Sequence, residues 1–223
     1  MEEIIKLENI YKNYGKNDKS FSALKNISFC VKKGDYVSIV GNSGSGKSTL
    51  MNIIGFLDKQ TSGNYYFCGE STENLNEKQL SEIRANKIGF IFQGFNLISS
   101  LSALDNVILP LIYKKVPKKQ RESIAISALD KVRLSNKYKN LPSELSGGQC
   151  QRVAIARAIA TKPEIILADE PTGNLDSTSG KQIEKILNDL HHEGNTILLI
   201  THDKELAMRS PRIVKIKDGM LEE

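Results

Sequence analysis

Long apolar runs are missing. No stretch of the 223 residues comes near the roughly 18 consecutive apolar residues that a membrane-spanning helix requires. The opening Met1-Glu2-Glu3-Ile4-Ile5-Lys6 is acidic where a secretory signal is basic, so the chain is expected to be intracellular. Cysteine and histidine are scarce, at three each. Cys30, Cys68 and Cys150 are scattered without CxxC spacing, which argues against a disulfide framework and a zinc site. Three histidines leave little for a metal cluster. No internal repeat or low-complexity segment stands out. Charge is not concentrated either. A net charge of +5 and a pI near 9.0 could suggest nucleic acid, yet the lysines are spread, with Lys114-Lys115 and Lys118-Lys119 close together. That distribution reads as a solvated, lysine-rich surface with a slight bias toward anionic lipid head groups.

What is present fits one large α/β domain with a substantial core. Strand patterning covers Glu3 to Ile10, Ser22 to Lys32, Tyr36 to Val40, Asn64 to Cys68, Ile88 to Phe92, Glu164 to Ala168, Thr196 to Ile200 and Ile213 to Ile216. Helical patterning covers Lys47 to Phe56, Asn76 to Ala85, Ala103 to Ile112, Lys118 to Val132, Gly148 to Ala160, and Ser177 to His192 closed by Gly194. Strands alternating with helices predict a mostly parallel sheet whose active edge lies at the strand C-termini. The first strands are expected to form an antiparallel β layer beside it. Residues 94–160 read as an inserted helical subdomain of a single domain over 1–223, with 1–93 and 161–223 as core and β layer.

Three strings carry chemistry. Gly41-Asn42-Ser43-Gly44-Ser45-Gly46-Lys47-Ser48-Thr49 fits the P-loop pattern G-x-x-x-x-G-K-[ST], between a buried strand and the start of a helix. Its glycines let successive N–H groups point inward, and the helix N-terminus adds its dipole, which makes a concave anion site. Lys47 would reach the β- and γ-phosphates and Ser48 would ligate Mg²⁺. A flexible linker would not have those flanks. The apolar strand before Asp169 and Glu170 delivers two adjacent carboxylates, which repel unless one faces a cation and the other a proton donor. Asp169 suits a Mg²⁺-holding role and Glu170 the base that polarises water; standing alone, the pair could also be an exposed acidic turn. Leu145-Ser146-Gly147-Gly148-Gln149 opens a helix, with Ser146 as N-cap and two glycines exposing first-turn N–H groups. On its own this is either a second anion-binding helix end or an ordinary capped helix.

Taken in order, these strings make the chain resemble the ATPase subunits of ATP-binding cassette (ABC) transporters over nearly its full length. The resemblance implies a P-loop NTPase (RecA-like) core, with ATP and Mg²⁺ as cofactors. It adds Gln93 as the Q-loop residue that contacts Mg²⁺ and water, Asn174-Leu175-Asp176 as the D-loop with Asp176 near nucleotide, and Ser146 to Gln149 as the signature. His202 becomes the switch histidine on the γ-phosphate, although a lone His there could be a polar turn residue. Tyr14 becomes the aromatic stacked on adenine, placed in the loop after the first strand, so Tyr14→Ala should weaken ATP binding and Tyr14→Phe should not. Catalysis would rest on Glu170, His202 and Lys47. The strings Gly55-Phe56-Leu57-Asp58, Gln93-Gly94-Phe95-Asn96-Leu97 and Ala168 to Asp176 look most like the macrolide-efflux and lipoprotein-release branch. Asn42 occupies a variable P-loop position, Gln60 stands where Pro is frequent, and Cys150 stands where Gln is usual. For Cys150 two readings stay open: a thiol activated by the helix N-terminus, or one made inert by packing. His191 and His192, near a helix C-terminus, read as solvated.

The resemblance further implies two copies packed head to tail, the signature of one covering ATP on the P-loop of the other. Dimer closure would drive an integral-membrane permease on a separate chain, placing this chain on the cytoplasmic face of the membrane in an efflux or lipoprotein/peptide release system. An amino-acid or metal importer subunit is the alternative. A DNA-repair or chromosome-structure ATPase would need a long coiled coil, and Gln93 to Ser146 has no room for one. A translation-regulating, nucleic-acid-associated cassette protein would normally carry two cassettes. Phe95, Leu97, Ile98, Leu101 and Leu104 exceed what a small helical subdomain need hide, which suggests a groove for a permease helix.

Overall fold

The computed structural model describes residues 2–15 and 21–222. Two sheets divide the strands. The smaller is antiparallel and contains β1 (Glu3–Tyr14), β2 (Phe21–Lys32), β4 (Ser62–Phe67) and β5 (Glu70–Ser71), in the order β2-β1-β4-β5. β1 runs on past Ile10, so Tyr14 is its last residue and does not sit in a following loop. Sequence periodicity missed this extension because Asn9 takes a positive φ of 51° and the pairing register slips between Leu7 and Ile10, which resets the inside-outside alternation.

The larger sheet contains β3 (Tyr36–Val40), β6 (Ile88–Phe92), β7 (Ile165–Asp169), β8 (Ile197–Thr201), β9 (Arg212–Lys217) and β10 (Met220–Glu222), ordered β10-β9-β3-β8-β7-β6. All its pairings are parallel except that of β10 with β9. β5 and β10 are too short to leave a periodic trace in the sequence.

The helices are α1 (Lys47–Ile54), α2 (Glu77–Lys87), α3 (Ala103–Tyr113), α4 (Lys118–Lys131), α5 (Gly147–Ala160), α6 (Ser177–His192) and α7 (Lys204–Ala207). α1 stops short of the predicted Phe56, whose φ of 56° breaks the helix and turns its ring onto Tyr65, with centroids 4.9 Å apart. Alternate residues of one strand serve different cores. Ile165 and Leu167 join the cluster shared with α1 and the antiparallel sheet, whereas Ile166 and Ala168 join the cluster formed with α3 to α6. The helices of residues 94–160 therefore pack on one face of the parallel sheet, and α5 approaches β6 so closely that a Cβ on Gly89 would meet the Ala158 carbonyl at 2.7 Å.

Candidate nucleotide-binding and hydrolysis site

Strand register lines up the candidate residues. Val40 of β3 pairs with Thr201 of β8, and Asp169 of β7 pairs with Ile200 of β8 and Phe92 of β6. Gly41, His202, Glu170 and Gln93 consequently leave four neighbouring strands at one C-terminal edge, about 4.8 Å per strand apart. A cleft of about 980 Å³ opens there, lined by Tyr14, Phe21, the P-loop from Gly41 to Gly44 and from Gly46 to Thr49, Asp169, Glu170 and His202, with Lys204 and Lys215 at its rim.

The loop is already curled around its lysine. Lys47 Nζ donates to the carbonyls of Gly41 at 2.7 Å and Asn42 at 2.8 Å. Gly46 caps α1 with φ 108° and no side-chain cap, leaving the first-turn N–H groups free for an anion. A Cβ at Gly46 would meet the Ala23 carbonyl at 2.8 Å, so both backbone conformation and space require glycine. Ser45 lies beneath the loop, buried, and does not line the cleft.

Across the cleft Asp169 ends β7 half-buried. Burial first, then the Glu170 charge, raise its carboxyl above the ordinary carboxylate range, with Lys47 opposing. Glu170 adopts a positive φ of 45°, a conformation that costs on the order of 1 kcal/mol or more for a non-glycine residue. Its carboxylate accepts from Thr201 Oγ1 at 3.1 Å and from the His202 backbone N–H at 2.9 Å, and His202 Nδ1 lies 2.7 Å from the same oxygen as that N–H.

The other predicted residues lie outside this cleft. Gln93 and Asn174 exchange two hydrogen bonds, side chain to side chain and side chain to backbone, each of 3.1 Å. Ser146 and Gln149 cap each other: the Gln149 N–H donates to Ser146 Oγ at 3.3 Å and the Ser146 N–H to Gln149 Oε1 at 2.9 Å. Gly147 and Gly148 form the first turn of α5, and a Cβ on Gly148 would strike Ser179 Oγ at 2.7 Å. Asp176 caps α6, accepting from the N–H groups of Thr178 and Ser179, and hydrogen bonding to Ser179 chiefly holds its carboxyl below the usual range. Cys150 is buried behind the signature, where desolvation pushes its thiol up.

The family described as ABC transporter matches residues 24–173, well over half the chain. The chain belongs to the ABC transporter family. It is an ATPase cassette of that family. The macrolide export ATP-binding/permease protein MacB of Mannheimia succiniciproducens is 53% identical over 97% of this chain and 34% of its own length, so the chain spans about a third of that relative. The uncharacterized ABC transporter ATP-binding protein YknY of Bacillus subtilis is 48% identical over 97% of this chain and 94% of its own. Among solved structures, the dimeric post-hydrolysis state of the cassette MJ0796 bound to ADP and Pi is 46% identical, with a TM-score of 0.90 over 98% of this chain and 97% of that one.

Three further side chains brace the cassette where sequence reasoning marked nothing. Gln151, wholly buried, donates to the carbonyls of Phe92 and Pro171, joining α5 to the ends of β6 and β7. Arg157 donates to the carbonyls of Phe95 at 2.9 Å and Asn96, two residues that both have positive φ. Asn106, also wholly buried, holds residues 98–102 through four hydrogen bonds. Polar residues on a helix face that turns inward were the available signal, but helical periodicity assigns such positions to solvent.

Proposed function

We propose that this cassette binds ATP with Mg²⁺ in the cleft, hydrolyses it as half of a head-to-tail pair, and thereby drives a membrane permease. The carrying observation is the register that sets Lys47, Asp169, Glu170 and His202 around one cleft while the signature stays outside it. A signature that a chain cannot turn on its own P-loop suits a second copy, and the dimeric ADP- and Pi-bound relative supports that arrangement. Among the described residues no helix is long and apolar enough to cross a membrane. The likeness to the ABC transporter ATP-binding protein YknY supports a permease on a separate polypeptide, with the cassette held at the membrane through it. The likeness to the macrolide export protein MacB favours export over import.

Oxygen donors face the metal position: the Ser48 hydroxyl and the Asp169 carboxylate line the same cleft, a donor set that suits Mg²⁺. Burial and the Glu170 charge, which raise the Asp169 carboxyl, would be opposed there by a bound cation. Bound Mg²⁺ would neutralise charge on the β- and γ-phosphates. Lys47 gives up the Gly41 and Asn42 carbonyls and transfers its donors to phosphate oxygens. Glu170 accepts a proton from water as the water oxygen bonds to the γ-phosphorus and the bond to the bridging oxygen breaks, leaving ADP and phosphate. His202 and, from the second copy, the Ser146 hydroxyl and the Gly148 N–H stabilise charge on the γ-oxygens. Gln93, freed from Asn174, passes the nucleotide state to residues 94–160, which we read as the helical subdomain that meets the permease.

Size-exclusion chromatography with ATP, paired with ATPase assay in Mg²⁺, tests this reading on Glu170→Gln. The variant should accumulate as an ATP-bound dimer, with turnover lowered about 10² to 10⁴-fold. A monomeric variant that turns over like wild type would overturn it.

A further inference from the structure

Tyr14 ends β1 at the mouth of the cleft, and its hydroxyl does not face solvent alone. It donates to Asp58 Oδ2 at 2.7 Å, while Asp58 Oδ1 accepts from Lys12 Nζ at 2.6 Å. The same ammonium lies 4.8 Å from the centroid of the Tyr14 ring and donates to the Lys59 carbonyl at 2.6 Å. These contacts close a triangle. Lys12 is 9% exposed and does not line the cleft, whereas Tyr14 does, so the ammonium covers the ring's inner face and leaves the outer one open. Asp58 is itself fixed at the exit of α1, where its N–H donates to the Asn52 carbonyl at 3.1 Å.

We propose that Asp58 and Lys12 are positioning residues of the base platform, locking the Tyr14 ring so that a purine stacks on one pre-set face. The inference rests on the reading that Tyr14 carries the base. An unanchored tyrosine must surrender rotamer freedom when the base arrives; an anchored one has already done so, and the affinity gained is that saved ordering cost. Both Asp58 oxygens are engaged within the triangle, so Asp58 reads no base edge. Stacking tolerates any base, and losing the anchor should therefore weaken ATP and GTP alike. On this proposal the hydroxyl matters as well as the ring, so Tyr14→Phe is expected to weaken nucleotide binding.

Equilibrium titration of the purified chain with ATP, GTP and inorganic tripolyphosphate separates these roles. Tyr14→Ala should weaken ATP about 5- to 150-fold, the range for loss of base–aromatic stacking, and leave tripolyphosphate unchanged. Asp58→Ala and Tyr14→Phe delete the same hydrogen bond and should each weaken both nucleotides about three- to tenfold, again sparing tripolyphosphate. The double variant Tyr14→Phe/Asp58→Ala should be no worse than either single. Tyr14→Phe removes one oxygen only, so it carries the test if Asp58→Ala folds poorly. Positioning is overturned if Tyr14→Ala loses affinity while Tyr14→Phe does not, if the two single losses add in the double, or if tripolyphosphate weakens equally. If Tyr14→Ala binds ATP like wild type, the base-platform reading itself falls, and the inference with it.

Discussion

Glu170 and His202 face each other at 2.7 Å, the imidazole Nδ1 and the adjoining backbone N–H both directed at one carboxylate oxygen. The backbone N–H donates to that oxygen, and the ring nitrogen beside it shares the same acceptor site. The proposed base and the proposed phosphate contact thus lie against each other. On the proposed mechanism, an arriving γ-phosphate would give His202 a competing partner and would free Glu170 to hold water.

His202→Ala should therefore lower kcat about 10²-fold or more, the scale for deleting one donor to a developing oxyanion. ATP affinity should change little, because the P-loop still holds the phosphates. Single-turnover hydrolysis measured beside equilibrium binding checks both halves, and wild-type turnover would remove His202 from the chemistry.

Lys47→Ala deletes a cation that the loop has already gathered around. A charge-assisted hydrogen bond contributes about 1.5 to 3 kcal/mol, which is roughly 10- to 150-fold in affinity. Isothermal titration should show that loss, and with it the loss of ATP-driven dimerisation. A variant that dimerises normally with ATP would contradict the assigned role.

Cys150 sits in the first turn of α5, yet it is 7% exposed and desolvation raises its thiol. Burial outweighs the helix dipole there, because no charged partner contributes to the shift and the thiol can donate only to the Pro142 carbonyl at 3.5 Å. Thiol-specific alkylation should be slow with or without ATP and fast after unfolding. Labelling of the native chain at the rate of a free cysteine would restore the reactive reading.

Arg157 donates to both consecutive positive-φ carbonyls that follow Gln93 and Gly94. Arg157→Ala should cost about 2 to 4 kcal/mol in urea unfolding, for two charge-assisted bonds and the carbonyls they leave unpaired. Arg157→Lys should recover less than half, since one ammonium lacks the planar fork that spans two acceptors. Hydrogen exchange in residues 94–98 should rise in step; unchanged exchange would leave Arg157 merely packed.

Phe95, Leu97, Leu101 and Leu104 are half-buried, and the more exposed apolar side chains nearby are Ile98, at 42% exposure, and Ile112 and Tyr113 on α3. Ile98→Asp should abolish co-purification with the permease while preserving ATPase in the isolated chain. Normal assembly and transport in that variant would place docking elsewhere.

The P-loop, the β7 carboxylates and the helices of residues 94–160 were legible because each depends on a local pattern: glycine spacing beside a strand, an apolar run ending in acids, or 3.6-residue periodicity. The end of β1 was not legible, because a bulge at Asn9 hides the alternation that marks a strand. Local sequence marked the candidate residues for phosphate chemistry and the glycine positions of the loop that would hold it. Tertiary structure decided which of them meet. Parallel register alone brings Gly41, His202 and Glu170 to one edge from positions far apart in the chain. Packing between other elements closes Lys12, Asp58 and Tyr14 into a triangle, ties Gln93 to Asn174, and buries the Cys150 thiol. Hydrogen bonds and burial between distant segments have no periodic signature, because they depend on the space between elements and not on the order within one.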